Sequence, residues 1–268
     1  MDKLKILVAI HKQSPVFQND IYMPIQVGKA ISRINLGFQG DNTGDNISNK
    51  NPYYCELTAQ YWGWKNLDTE FIGLCHYRRY FEKQFTLENI DAEMDNYDII
   101  LPHPLIRTNN LLNFWMHDMI PEDIVLFHSL MLKETVESEK KYFEFYFTKT
   151  NKFYPCNMFV CRKVLFDEFA AWQFGILSKL EELLPFTRYS RENRILGYLG
   201  EALLPYYAHL HNWKIKTYPL VPMVGEHKKL FHQSVSEKIM NNMIFRLRNK
   251  DFIIDDAIRI GLKNDQLL

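Results

Sequence analysis

Lys5-Ile-Leu-Val-Ala-Ile10 is an apolar run with β-branched residues that stops abruptly at polar His11-Lys12, the pattern of a strand buried on both faces of an α/β sheet. Glu70 to His76 repeats that pattern. Tyr97 to Pro102 repeats it again, and Pro102 and Pro104, which lack ladder donors, end the third strand. Asn157 to Cys161 reads as another strand, and Trp213 to Tyr218 alternates as an edge strand does. Between these segments the apolar spacing turns helical: over Tyr54 to Lys65, over 109–148 through Ile124, Phe127, Leu130 and Met131, over Lys163 to Leu184, and over Arg191 to His209. Residues 37–52 concentrate Gly, Asn and Asp and predict a loop, with Ser48 or Asn51 as a helix cap. Strands alternating with helices predict an α/β sheet rather than a bundle or a sandwich.

With 268 residues, 47% of them apolar, the chain is long enough for a substantial core in one domain-sized unit. Its 32 basic and 32 acidic side chains balance, which excludes the broad positive footprint of a general nucleic-acid binder. An anionic ligand must therefore meet a local basic site. No stretch reaches the roughly 20 apolar residues of a membrane span, and the start runs straight into a strand without a leader pattern, so the expected location is cytoplasmic. Cys55, Cys75, Cys156 and Cys161 form neither a CxxC pair nor a disulfide scaffold and read as reduced thiols. Between His227 and Lys250, six cations (Lys228, Lys229, Lys238, Arg246, Arg248 and Lys250) face one acid, Glu237. The expected organisation is a catalytic-size unit over 1–225 followed by a basic helical appendage over 226–268.

The most unusual string is Phe71 to Phe81, where an apolar strand gives way to His76, Arg78 and Arg79 among aromatics. Forked guanidiniums beside an imidazole match phosphate oxygens, so the string suits a diphosphate; an exposed turn of salt-bridged arginines is the alternative. Gly73 hints at a close backbone approach there. His11 and Lys12 end the first strand and face the same mouth, because ligands of open α/β sheets bind outside the carboxyl ends of strands. Asp45 and Asn46 lie in the 41–46 loop, whose polar side chains suit a ribose or sugar hydroxyl. The helix carrying Trp62 and Lys65 offers aromatic faces, which equally suit a core. Late in the chain Arg194, Gly197 and Glu201 share one helix face, with Gly197 and Gly200 implying close packing. Glu201 there suits a general base or an ion pair with Arg194.

The sequence has no GxGxxG, Walker loop, HExxH, GxSxG or metal-type Cys/His cluster. An Asp-x-Asp after a strand is missing too, Asp91-Ala-Glu93 being the nearest approach. A site without a divalent metal, with Arg and Lys in place of the cation, is the simpler expectation.

The strings Asp45-Asn-Ile-Ser, Glu56-Leu-Thr with Tyr-Trp-x-Trp-Lys-Asn66, Gly73 to Phe81, Tyr97 to Pro102, Asn157-Met-Phe159 and Gly197 to Glu201 together resemble an uncharacterised-domain family of bacterial capsule, exopolysaccharide and O-antigen gene clusters. The resemblance covers roughly residues 3–222. It implies a glycosyltransferase with a GT-A-like fold that transfers galactofuranose from UDP-galactofuranose without the metal-binding Asp-x-Asp. It places His11, Lys12, His76, Arg78 and Arg79 near the donor diphosphate, and Asn157 and Glu201 near the reacting sugar or acceptor.

The resulting expectation is an inverting, metal-independent transfer of a sugar from UDP to a hydroxyl of a polysaccharide or lipid-linked glycan. Asp45, Asn46, Trp62, Lys65 and Pro102 complete the donor set, and His117, Met158 and Arg194 join Asn157 on the acceptor side. Glu201 is the first choice of base and Asp118 the second, with His76 or His117 as alternatives. No nucleic acid is expected as a partner. The 227–250 segment suits peripheral contact with the inner face of the plasma membrane, or a helix docked on the core. The rival functions are a non-catalytic carbohydrate- or nucleotide-binding accessory protein and, less well supported, a phosphate-ester hydrolase.

Overall fold

The computed structural model describes residues 2–187, 189–223, 231–248 and 251–268. At its centre β1 (Asp2–Ile10) pairs in parallel with β2 (Tyr22–Gln26) on one side and β4 (Thr69–His76) on the other. β3 (Gln39–Gly40) extends the sheet beyond β2. β9 (Phe159–Arg162) lies antiparallel beside β4, then come β6 (Ile99–Pro102) and, at the edge, β10 (Ile215–Tyr218). Successive β1 side chains enter opposite cores: Leu7 and Ala9 one, Leu4, Ile6, Val8 and Ile10 the other. That two-sided burial is why the segment reads as an unbroken apolar run.

Helices cover both faces. α1 (Asn51–Tyr54), α2 (Leu57–Asn66), α7 (Lys163–Leu183) and α8 (Ile195–Leu210) pack on the larger core, and the short α3 (Ile90–Met94) leads into β6. The 109–148 segment forms three helices rather than one: α4 (Leu111–Asp118), α5 (Pro121–Glu134) and α6 (Glu137–Lys149). Pro121 forces Ile120 into an extended conformation (ψ 119°) and so separates α4 from α5. β2 was not legible, because Pro24 argues against a strand. β3 covers only Ile25 and Gln26, so Pro24 sits where β2 is itself an edge and needs no donor.

Beyond β4 the chain folds back as β5 (Arg79–Phe81), which pairs with β11 (Leu220–Pro222). β7 (Leu105–Ile106) and β8 (Lys152–Phe153) form a separate small ladder. Near the C-terminus, α9 (Val235–Leu247) opens with Ser234 and Glu237 capping each other's backbone, and α10 (Asp256–Asn264) follows. α9 is tied to β7, where the Asn241 amide donates to the Ile106 carbonyl at 2.9 Å. His227, Lys228, Lys229 and Lys250 of the basic segment lie outside the described residues.

Candidate active site

Ala9 of β1 stands opposite His76 of β4 in parallel register, so the chain leaves both strands at one edge of the sheet. The His11 and His76 rings are 6.2 Å apart there. Arg78 follows in the turn to β5, and Arg194 enters from the start of α8. These four side chains and Glu56 line a cleft of about 520 Å³. Burial, reinforced by Arg79, Arg78, His11 and Arg194, pushes the His76 pKa down to about 2, so its ring is neutral. The Arg78 backbone N–H donates to His76 Nδ1 at 3.3 Å, which leaves the proton on Nε2. His11 is lowered too, by burial and then by Arg78, Lys12 and Arg194. Two neutral imidazoles with two guanidiniums make a cleft that offers donors and positive charge to an anion.

A carboxylate pair stands between this cleft and the next cavity, Glu56 lining the cleft and Glu201 facing the cavity beyond it. Cys55, with φ 53°, breaks the helical path between α1 and α2 and turns Glu56 inward. The Asn157 amide donates at 3.0 Å to both Glu56 Oε1 and the Gly197 carbonyl. Cys156 and Asn157 occupy left-handed conformations, φ 78° and 51°. Asn tolerates this region, but Cys pays on the order of 1–3 kcal/mol, a strain that the surrounding bonds must hold. In this conformation the Cys156 N–H donates to Glu201. Burial first, and then the charge of Glu56, push the Glu201 pKa up to about 8, against the opposing pull of that N–H, Arg79 and Arg107.

The α8 glycines make this convergence possible. A Cβ at Gly197 would stand 2.9 Å from Cys55 Sγ, and one at Gly200 would stand 3.0 Å from Asn157 Oδ1. The close packing predicted for both is therefore against the segments that carry Glu56 and Asn157.

Glu201 faces a second cavity of about 210 Å³, which it lines with Phe114, Phe153, Tyr198, Asp118 and Arg191. Beside it the Arg107 guanidinium lies 4.6 Å from the Phe114 ring and 5.1 Å from that of Phe153. Its Nε is buried without a hydrogen-bond partner, and its charge interacts with Glu201 and Asp118. Glu56 and Arg107 went unassigned in the sequence. Glu56 appears there within the Tyr54–Lys65 helix and in the Glu56-Leu-Thr motif but is given no role, and Ile106-Arg-Thr108 carries no signal at all because the β7–β8 ladder positions it.

Residues 5–212 match the family described as a domain of unknown function (DUF4422). The chain belongs to this family. Its fold is similar to that of a solved structure, the apo form of a WbbM bifunctional glycosyltransferase, with a TM-score of 0.75 and 30% identity. The similarity covers 84% of this chain and 46% of that one, so the chain spans about half the length of that protein. No curated protein matches. The likeness to a glycosyltransferase agrees with the resemblance carried by the motifs, and the mostly parallel, helix-flanked sheet agrees with the GT-A-like α/β class.

Within this DUF4422 fold several expected site residues stand elsewhere. α2 runs against β1, and after two connecting residues β4 begins opposite Asp2, so the second half of α2 lies at the far edge of the sheet. Trp62 is buried there, its indole N–H donating to Thr43 Oγ1 at 2.9 Å, and Lys65 lies over the Trp64 ring at 3.5 Å. Asp45 accepts from the Tyr61 hydroxyl at 3.1 Å, and Asn46 donates to the Gly44 carbonyl at 2.9 Å, so both belong to that edge and not to the cleft. Asp41 of the same loop is fully buried and accepts from Gly28, Lys29, Ser48 and Thr58, a structural staple. Neither Ser48 nor Asn51 is the N-cap of the helices that follow: Ile47 and Lys50 hold those positions.

Pro102 is buried opposite Tyr218, and Met158, 1% exposed, belongs to the core on the other face; neither lines the cationic cleft or the Glu201 cavity. The close approach at Gly73 is made by the Phe159 carbonyl, 2.9 Å from where a Cβ would stand, and not by a ligand. Arg194 joins the cationic cleft instead of the acceptor side, its Nε donating to Cys55 Sγ at 3.1 Å. Arg79 points away and lies 5.0 Å from the Phe231 ring, though its charge reaches His76 and Glu201. Lys12 does not line the cleft, though its charge is felt by His11. Asn157 is buried and holds Glu56, while His117 and Asp118 line an outer groove. Among the described residues no three His, Cys, Asp or Glu side chains are grouped as metal ligands.

Proposed function

We propose that this chain is a glycosyltransferase that moves a sugar from UDP to a hydroxyl of a glycan acceptor by single displacement with inversion. The observation that carries this reading is the order of the site: a cationic cleft at the strand ends, then the Glu56–Asn157–Glu201 wall, then an aromatic cavity. The diphosphate lies over Arg78 and Arg194, with His76 Nε2–H as a further donor. The acceptor oxygen attacks the anomeric carbon and passes its proton to Glu201. The bond from that carbon to the β-phosphate oxygen breaks, and its electron pair leaves on UDP, where the arginines stabilise the growing charge. With a pKa near 2, His76 holds a proton too weakly to replace Glu201 as the base. Galactofuranose is the donor sugar we favour, from the resemblance of the motifs, and the fixed guanidiniums take the place of a divalent cation.

UDP tests the cleft directly. A ligand at about 100 times its Kd stabilises the native state by about 2.7 kcal/mol, which for a chain of this size raises Tm by on the order of 5 °C. We expect that rise with UDP, equally with and without EDTA. No shift with UDP would remove the transferase reading, stabilisation by free sugar alone would favour a carbohydrate-binding accessory protein, and a shift abolished by EDTA would remove metal independence.

The reading extends to the membrane face. Val235, Ile239, Met240, Met243 and Leu247 on α9 are 55–85% exposed, beside Lys238, Arg246 and Arg248. Such a stripe suits the headgroup region of an anionic bilayer, where lipid-linked acceptors reside. Among the described residues no helix is long and apolar enough to cross a membrane. The full chain is expected to float with phosphatidylglycerol vesicles and to lose that association when Ile239 and Met243 are both changed to Glu. Equal flotation of the two proteins would rule out this surface.

A further inference from the structure

The Glu201 cavity does not end at Asp118. Asp118, Met119 and Arg191 also line a groove of about 320 Å³ that continues outward past His117, Ile120 and Pro121, where α4 gives way to α5. We propose that the cavity holds the terminal ring of the acceptor glycan and the groove its second ring, so that the acceptor is a saccharide of at least two residues. The proposal rests on the transferase reading of the same site and adds the acceptor class.

Three features of the two chambers point this way. The inner chamber, about 210 Å³, is smaller than the roughly 300–1,000 Å³ that a drug-sized ligand occupies, and so fits one ring and not a nucleotide. Its walls combine flat apolar faces, Phe114, Phe153 and Tyr198, with carboxylates at opposite ends, Glu201 inside and Asp118 at the exit. A sugar ring has this character, apolar C–H faces with a polar rim of hydroxyls. Phe114 and Phe153, with ring centroids 5.8 Å apart, are themselves braced by the Arg107 guanidinium, which lies against both. The outer groove has no such stack of rings and is open, its lining mixing Met119, Ile120 and Pro121 with the exposed His117, Asp118, Arg191 and Glu192. A second ring there meets hydrogen-bonding groups at the surface, and the rest of the glycan leaves into solvent between α4 and α8.

Transfer from UDP-galactofuranose to octyl glycosides of one and of two hexose rings tests the proposal, with hydrolysis to water measured in the same samples. Two-ring acceptors are expected to show a KM about tenfold below one-ring acceptors. Phe114→Ala is expected to raise the acceptor KM about tenfold, the effect of losing one aromatic face, and to shift products from transfer toward hydrolysis. Glu192→Ala, at an exposed position that lines the outer groove and not the inner cavity, is expected to erase the advantage of the second ring while leaving one-ring acceptors near their original KM. Equal KM values for one and two rings, or an unchanged acceptor KM in both variants, would overturn the proposal. Should the wild-type chain neither hydrolyse nor transfer, the transferase reading fails separately. Saturation-transfer NMR of the octyl glycosides, with wild type and both variants, then still decides the two-ring site by binding alone.

Discussion

Glu201→Gln is expected to lower glycosyl transfer by about 10²–10⁴-fold while leaving UDP binding intact, because a general base contributes on that order and Glu201 lies outside the cationic cleft. The pH profile supplies the sharper readout. With its pKa raised to about 8, Glu201 is protonated at neutral pH, so kcat/KM should climb with pH and level off above about 8. Part of that rise is the charge of Glu56, and Glu56→Gln should move the climbing limb toward lower pH. Stability has the opposite sign. A carboxyl whose folded pKa exceeds its unfolded value contributes most below the unfolded pKa and loses that contribution as pH rises through the folded one. Wild-type Tm should therefore decline across the window from about pH 4.5 to 8 by more than that of Glu201→Gln. A variant with near wild-type transfer, or a profile flat from pH 6 to 9, would remove Glu201 from the reaction.

Arg78→Ala is expected to cost about 10²–10³-fold in kcat, the scale of losing one preorganised donor to a developing oxyanion. The UDP-induced rise in Tm should shrink in the same variant, since the guanidinium meets the diphosphate in the ground state as well. Folding should survive, because Arg78 sits half-buried in a turn at an open cleft and outside both cores. Arg78→Lys should recover only part of the loss, because an ammonium keeps the charge without the planar fork. Circular dichroism and transfer assays on both variants check this, and wild-type turnover in Arg78→Ala would sink the role.

The two predictions rest on differently legible parts of the chain. His11, His76 and Arg78 were readable because each lies within two residues of the end of an apolar strand, and parallel neighbours must deliver such residues to one edge. Glu201 was readable from its helix face beside two glycines. The donor residues assigned to the 41–46 loop and α2 failed for a geometric reason. Proximity in sequence to a strand end does not say which end of an antiparallel helix faces the mouth, and Trp62 and Lys65 fell at the wrong one. Met158 failed because alternation along an extended segment decides its face, and the left-handed residues before it set that phase.

The sequence by itself determined β1, β4, β6, β9 and β10, most of the helices and the cationic strand ends, because apolar runs, alternation and helical periodicity are local patterns that each segment carries alone. The tertiary structure alone decided that Glu56 and Arg107 belong to the site, that Arg194 faces the cationic cleft, and that Glu201 has a pKa near 8. Each of these depends on distances between segments some 40 to 150 residues apart in the chain, set by a left-handed turn, a short ladder and two glycines, and electrostatic energy follows distance and burial rather than order along the chain.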